Sequence, residues 1–146
     1  MSKKLKLQIV CCGAPAKWAL DGVNHWKKRI FSLAEIELYF AKSRNVENTI
    51  IKRIADKYCI ALTRKGKKYS SRDWADMLKN LSLSPGNITF VVGDAEGLSE
   101  KILSLCDRKI SLGPITIQHD VALIVLLEQL YRALSINAGL PYHRGD

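Results

Sequence analysis

The sequence closes on "LPYHRGD", which sets Tyr142, His143 and Arg144 side by side. An imidazole has an ordinary pKa of about 6.5 and can take or give a proton near neutrality. A guanidinium keeps a fixed positive charge and pairs anions through two parallel N–H groups. A phenol ring stacks on a base or hydrogen-bonds to it. Chain ends ordinarily fray, so the three act together only if the helix before them pins the tail. That helix carries Glu128 and Arg132, four apart in "LLEQLYRAL". They either pair along the helix surface or face a pocket.

Glycine-bearing segments offer a second kind of chemistry. In "GDAEGLS", Gly93 and Gly97 bracket Asp94 and Glu96. This is the pattern of a tight turn that brings main-chain N–H groups against a ligand, or of an ordinary strand-to-helix turn with Ser99 as the next cap. In "SLGPITIQHD", the run from Gly113 and Pro114 through Ile115, Thr116 and Ile117 offers an apolar, backbone-lined pocket suited to an adenine ring. His119 is either a catalyst or a residue that helps start a helix capped by Asp120. A third loop, "TRKGKKY", follows a strand ending at Thr63. Neither G-x-G-x-x-G nor G-x-x-x-x-G-K-[ST] occurs, which removes the main support for dinucleotide and P-loop readings. A phosphoesterase built on Asp94, Glu96 and His119 lacks metal-ligand spacing. Cys11, Cys12, Cys59 and Cys106 form no C-x-x-C pair and read as reduced core thiols, the adjacent two on opposite faces of a strand. No metal is indicated.

The elements that must position these groups alternate along the chain. "KLQIVCC", "IELYF", "YCIALT" and "ITFVVG" read as strands, the last almost continuously apolar as when helices cover both sheet faces. "AKWALDGVNHWKKRI" reads as a helix with Trp18, Val23, Trp26 and Ile30 as its apolar stripe. "VENTIIKRIADK", preceded by Ser43 and Asn45, and "SSRDWADMLKNL", opened by a Ser cap, are helical as well. A short helix near 99–106, an irregular stretch to Gln118 and a long helix over 120–137 finish the chain. Strands separated by helices predict a single-domain α/β fold with a largely parallel sheet flanked by helices. Ligands in such sheets bind beyond the carboxyl ends of the strands. Leu123, Leu127, Leu130 and Leu134 form a stripe that serves a dimer interface or plain core packing.

At 146 residues and 47% hydrophobic, residues 1–146 make one domain with a real core. Lys and Arg number 23 against 14 Asp and Glu, a net +9, grouped as Lys3-Lys4, Lys27-Lys28-Arg29 and Arg64 to Lys68. Nucleic acid or another polyanion is a partner this charge suits, although proteins that bind none also carry such charge. The apolar run Val121 to Leu127 is far short of the roughly 20 residues that span a bilayer. The basic start reads as a first strand rather than a signal peptide, which makes the cytoplasm the default location.

Together, "GDAEGLS", "SLGPITIQHDVALIVLLEQLYRALSI" and "GLPYHR" resemble the RlmH family of ribosomal large-subunit pseudouridine methyltransferases, of the SPOUT class. The likeness reaches back to "KLQIV" and covers essentially the whole chain. Its specific part is C-terminal, where Glu128, Tyr131, Arg132, Pro141, Tyr142, His143 and Arg144 stand as in the family pattern. The resemblance implies a homodimer with a C-terminal trefoil knot whose loops bind S-adenosylmethionine. It also implies methylation of N3 of a pseudouridine in 23S rRNA, within the large subunit or the assembled ribosome. By position, the cofactor contacts would be Leu62, Gly93, Gly113, Pro114, Ile115, Thr116, Ile117 and Gln118. His143 would take the imide proton. Arg144 or Arg132 would stabilise the developing anion or hold a phosphate, and Tyr142 would stack on the base or hydrogen-bond to it, with the tail supplied across the dimer interface.

Departures from the pattern fall in the loops. "GDAEG" replaces the usual Gly-Gly-Pro-Glu-Gly, and Gln118-His119-Asp120 replaces Pro-His-Pro. Leu123 stands for an arginine and Thr63 for an aspartate. The alternative they raise is a weakly active or inactive knotted dimer that binds rRNA.

Overall fold

The computed structural model describes residues 4–42 and 44–145. Met1 to Lys3, Ser43 and Asp146 lie outside the described residues, and with them Lys3 of the first basic pair and the Ser43 expected before the second helix.

Five parallel strands make one sheet: β1 (Lys6–Cys11), β2 (Glu35–Phe40), β3 (Cys59–Lys68), β4 (Asn87–Val92) and β5 (Arg108–Ser111), in the order β2-β1-β4-β3-β5. Helices α1 (Lys17–Phe31), α2 (Val46–Ile54), α3 (Ser71–Leu83), α4 (Glu100–Ser104) and α5 (His119–Asn137) connect and cover them. β4 is central, and its side chains Ile88 to Val92 are all buried, as a strand covered on both faces requires. Alternation sends Ile88, Phe90 and Val92 into one core with α1, α3 and α5, and Val91 into a second with Ile50 and Ile54 of α2 and Ile102 of α4. Cys11 and Cys12 part in the same way, one against each core.

α3 starts as its sequence predicts. Ser70 accepts from the Asp73 N–H while Asp73 accepts from the Ser70 N–H, a reciprocal capping box. Ser99 likewise caps α4.

Other expectations need correction. Trp18 is not part of the buried stripe of α1: it is 63% exposed, and Ala19, Val23 and Ile30 take the core face. β3 does not end at Thr63 but continues to Lys68, so much of the expected "TRKGKKY" loop is strand. Leu62 and Lys67 both lie opposite Ile110, so the chain between them leaves the ladder and rejoins it at the same level. Gly66 permits this: a Cβ there would sit 2.6 Å from the Ile110 nitrogen. The stretch read as irregular contains β5, whose Arg108 donates to the Tyr58 hydroxyl at 2.6 Å and the Tyr69 hydroxyl at 3.1 Å. The Leu123, Leu127, Leu130 and Leu134 stripe is buried within one chain, so it is core and not an interface.

α5 leaves the β5 edge, crosses back and packs on α1 and α3. Its first turn is tied to the start of α1, where the Ala16 N–H donates to Asp120 Oδ2 at 3.1 Å. The cap of α5 is Gln118, whose Oε1 accepts from the Asp120 and Val121 N–H groups at 2.9 and 3.1 Å. Asp120 is therefore not the cap. It lies inside the first turn, buried, with its carboxylate turned to the α1 entry.

Candidate active site

The excursion of β3 and the carboxyl ends of β4 and β5 surround a cavity of about 410 Å³, within the range of small-molecule sites. Leu62, Gly93, Gly113, Ile115, Thr116 and Ile117 line it, as do Leu103, Leu112, His119 and Ala122. Pro114 and Gln118 are absent from the wall; Gln118 is spent on the α5 cap. Acidic Asp94, Glu96 and Glu100 share the rim with basic Arg64 and Lys65. Arg64 donates to Thr116 Oγ1 at 2.7 Å and thereby joins the β3 excursion to the loop before α5.

The turn after β4 closes on itself. A Cβ on Gly93 would stand 2.7 Å from the Gly97 carbonyl carbon, and Gly97 has φ +81, a conformation that side chains disfavour. Asp94 braces this turn by accepting from the Glu96 N–H at 3.0 Å. Gly113 has φ +143 and is held by Ser111, whose hydroxyl accepts from its N–H at 3.0 Å and donates to its carbonyl at 2.8 Å.

The tail forms a second cluster, pinned by α5 and α1. Arg132 does pair along the helix: Nε and Nη2 each donate to Glu128 Oε1 at 2.8 Å. Its Nη1 lies 3.1 Å from His143 Nδ1. Because a guanidinium only donates, Nδ1 accepts and the ring proton of neutral His143 sits on Nε2. That nitrogen is buried and has no hydrogen-bond partner among the described residues. Tyr142 donates to Glu128 Oε1 at 3.4 Å. Burial first, then the Glu128 carboxylate, push its phenol above the ordinary range against the opposing pull of Arg132 and Arg29. Arg144 is exposed.

Three further residues join this cluster: Trp26 of the α1 stripe, Tyr131 of the family pattern, and Arg29. Trp26 and Tyr131 meet the Tyr142 ring edge-on at 6.1 and 4.9 Å, and Arg29 lies over all three rings. Arg29 had looked like one more charge in Lys27-Lys28-Arg29.

Within one chain the clusters are separate. Ala122 lines the cavity and Arg132 holds the tail, and the ten helical steps from one to the other span about 15 Å.

Among the described residues no group of three or more His, Cys, Asp or Glu could hold a metal, and no helix is long and apolar enough to cross a membrane. Cys59 and Cys106 bring their sulfurs within 3.1 Å at the far end of β3.

The fold is that of the tRNA (m1G37) methyltransferase of Aquifex aeolicus, which superposes with a TM-score of 0.61 at 12% identity, over 99% of this chain and 76% of that one. The family described as "Predicted SPOUT methyltransferase" matches residues 5–143, and the chain belongs to it. It is 37% identical over 145 residues to a protein named ribosomal RNA large subunit methyltransferase H from Prochlorococcus marinus (strain MIT 9515), covering 99% of both. The protein of that name from Legionella pneumophila (strain Paris) is 36% identical, over 96% of this chain and 99% of its own length.

Proposed function

We propose that the chain methylates N3 of a pseudouridine in 23S rRNA, in the large subunit or assembled ribosome, using S-adenosylmethionine. In this reading it works as a homodimer with one protomer's tail reaching its partner's cavity. The observation that carries it is the separation just described: a tail with acid–base and anion-binding groups about 15 Å along α5 from the cavity beside Gly93 and Gly113. A second copy brings the two together. Exposed Trp18 and Val121, at 63% and 40%, lie on the adjoining starts of α1 and α5 and give that copy an apolar surface to cover. The C-terminal trefoil knot belongs to the same reading, supported by the return of the chain from edge strand β5 to α1. A cytoplasmic location follows from the substrate.

The residues fit the cofactor. Leu62, Leu112, Ile115 and Ile117 supply an apolar slot for a purine, Gly93 and Gly113 leave main chain open beside it, and Asp94, Glu96 and Glu100 suit hydroxyls and positive charge. Bound there, the sulfonium supplies an electrophilic methyl carbon.

The remaining work falls to the tail. An imide nitrogen is a poor nucleophile until its proton leaves, and His143 is the group placed to take it. Arg132 now occupies Nδ1, so proton uptake there requires Arg132 to let go. That release frees a guanidinium to meet the negative charge developing on the imide oxygens. Arg144, being exposed, is available to a phosphate. Tyr142 keeps its proton.

The altered turn favours the alternative of a binding-only dimer less than its sequence implies, since Asp94 braces the turn and the cavity stays open. The experiment is transfer of labelled methyl from S-adenosylmethionine to ribosomes lacking the modification. The native chain should transfer and His143→Ala should not. No transfer by the native chain would shift the assignment to the binding-only dimer.

A further inference from the structure

We propose that Arg29 is a positioning residue for the tail: its guanidinium fills a cage of Trp26, Tyr131 and Tyr142 and so fixes where His143 and Arg144 stand. The catalytic consequence rests on the methyltransferase reading; the clamp itself does not.

Arg29 sits 4.5 Å from the centroid of the Tyr131 ring, 5.3 Å from that of Tyr142 and 5.4 Å from that of Trp26. All three distances are within the reach of cation–π attraction. It also donates from Nη2 to the Tyr131 hydroxyl at 3.2 Å. Tyr131 is buried, at 8% exposure, and a buried phenol requires such a partner. Arg29 is half-buried, whereas Lys28 beside it is exposed. A phosphate contact has no reason to be withdrawn among rings.

Geometry then gives Arg29 its effect on the tail. The Tyr142 ring is held by two guanidiniums, Arg132 at 4.8 Å from α5 and Arg29 at 5.3 Å from α1. Arg132 alone would fix the tail to its own helix. Arg29 adds the second element, so Tyr142 is referenced to the α1–α5 pair. His143, the next residue, inherits that placement. A planar, five-donor cation is needed because it must lie across rings and still donate to a hydroxyl, which an ammonium does less well.

The test compares Arg29→Met, Arg29→Lys and Lys28→Met by backbone order parameters of the Tyr142 and His143 amides and by kcat and KM for methyl transfer. In Arg29→Met the order parameters should fall from about 0.85 to below about 0.6, with kcat down at least about tenfold and the KM for the cofactor unchanged. Arg29→Lys should retain part of both. Lys28→Met should leave tail order as in the native chain. Native tail order in Arg29→Met, with only the KM for RNA raised, would overturn the clamp and make Arg29 a phosphate contact. Should Arg29→Met fail to fold, Arg29→Lys decides, and native order there overturns the proposal. If the native chain transfers no methyl, the order parameters still judge the clamp while the functional reading falls.

Discussion

Arg132 Nη1 stands 3.1 Å from His143 Nδ1, and the same guanidinium grips Glu128 Oε1 from Nε and Nη2. One helical cation thus orders the tail and holds the proposed base in a single tautomer. Glu128 is the keystone, because it orients Arg132 and also accepts from Tyr142. Glu128→Ala should cost about 1 kcal/mol in thermal unfolding, a partly exposed pair with charged hydrogen bonds being worth that much. It should lower kcat more than it raises the KM for the cofactor. An equal change in both would place Glu128 outside the tail's machinery.

The Tyr142 phenol is raised from 10.0, so the folded chain binds its proton more tightly than the unfolded chain. Stability therefore falls as pH rises above about 10 and until the folded phenol ionises. Denaturant unfolding at pH 9 to 11 should show this slope in the native chain and a shallower one in Tyr142→Phe. Identical slopes would contradict the environment described for the ring.

Gly66 is the point where β3 presses on β5. Because an added methyl would meet Ile110 main chain at 2.6 Å, Gly66→Ala should cost more than about 2 kcal/mol, beyond what an exposed strand glycine would. The variant should also weaken cofactor binding through Arg64 and Thr116, read by calorimetry. A native midpoint would mean that the excursion rearranges freely.

Ala122 faces the cavity from α5. Ala122→Phe should fill part of it and weaken S-adenosylmethionine at least about tenfold, the loss of about 1.4 kcal/mol, with little change in the melting temperature. Undiminished affinity would move the cofactor elsewhere.

If the +9 charge serves rRNA, affinity for the ribosomal hairpin should fall linearly on a log–log plot against salt, by a slope near 0.7 to 0.9 per neutralised phosphate. A flat response would reduce the charge to a general surface property.

Much of this was legible in the sequence where local rules and tertiary packing agree. The Ser cap of α3, the almost continuously apolar β4 and the Glu128–Arg132 pair each follow from spacing within a few residues. The misreadings share another cause. β5 is four residues headed by Arg and Lys, with too little apolar alternation to register as a strand, and only Tyr58 and Tyr69 from distant segments make its Arg108 tolerable. β3 contains Thr63 to Gly66 out of the ladder, so its continuation to Lys68 depends on a contact with Ile110 that no local pattern encodes. Asp120 resembles a cap, but the need of Ala16, 104 residues away, draws it inward and leaves Gln118 to cap α5. Arg29 was hidden in a charge run for the same reason, its partners Tyr131 and Tyr142 being brought near only by the return of α5.

The central claim is that one protomer's tail completes its partner's cavity, and complementation tests it most directly. Ala122→Phe lacks a working cavity and His143→Ala lacks a working tail, so each alone should transfer little methyl. Unfolded together in equal amounts and refolded, half of the dimers would be mixed, each with one site that pairs an intact cavity with an intact tail, and about a quarter of native activity should return. Activity no higher than that of the two variants measured separately would contradict a shared site and place cavity and tail in the same protomer.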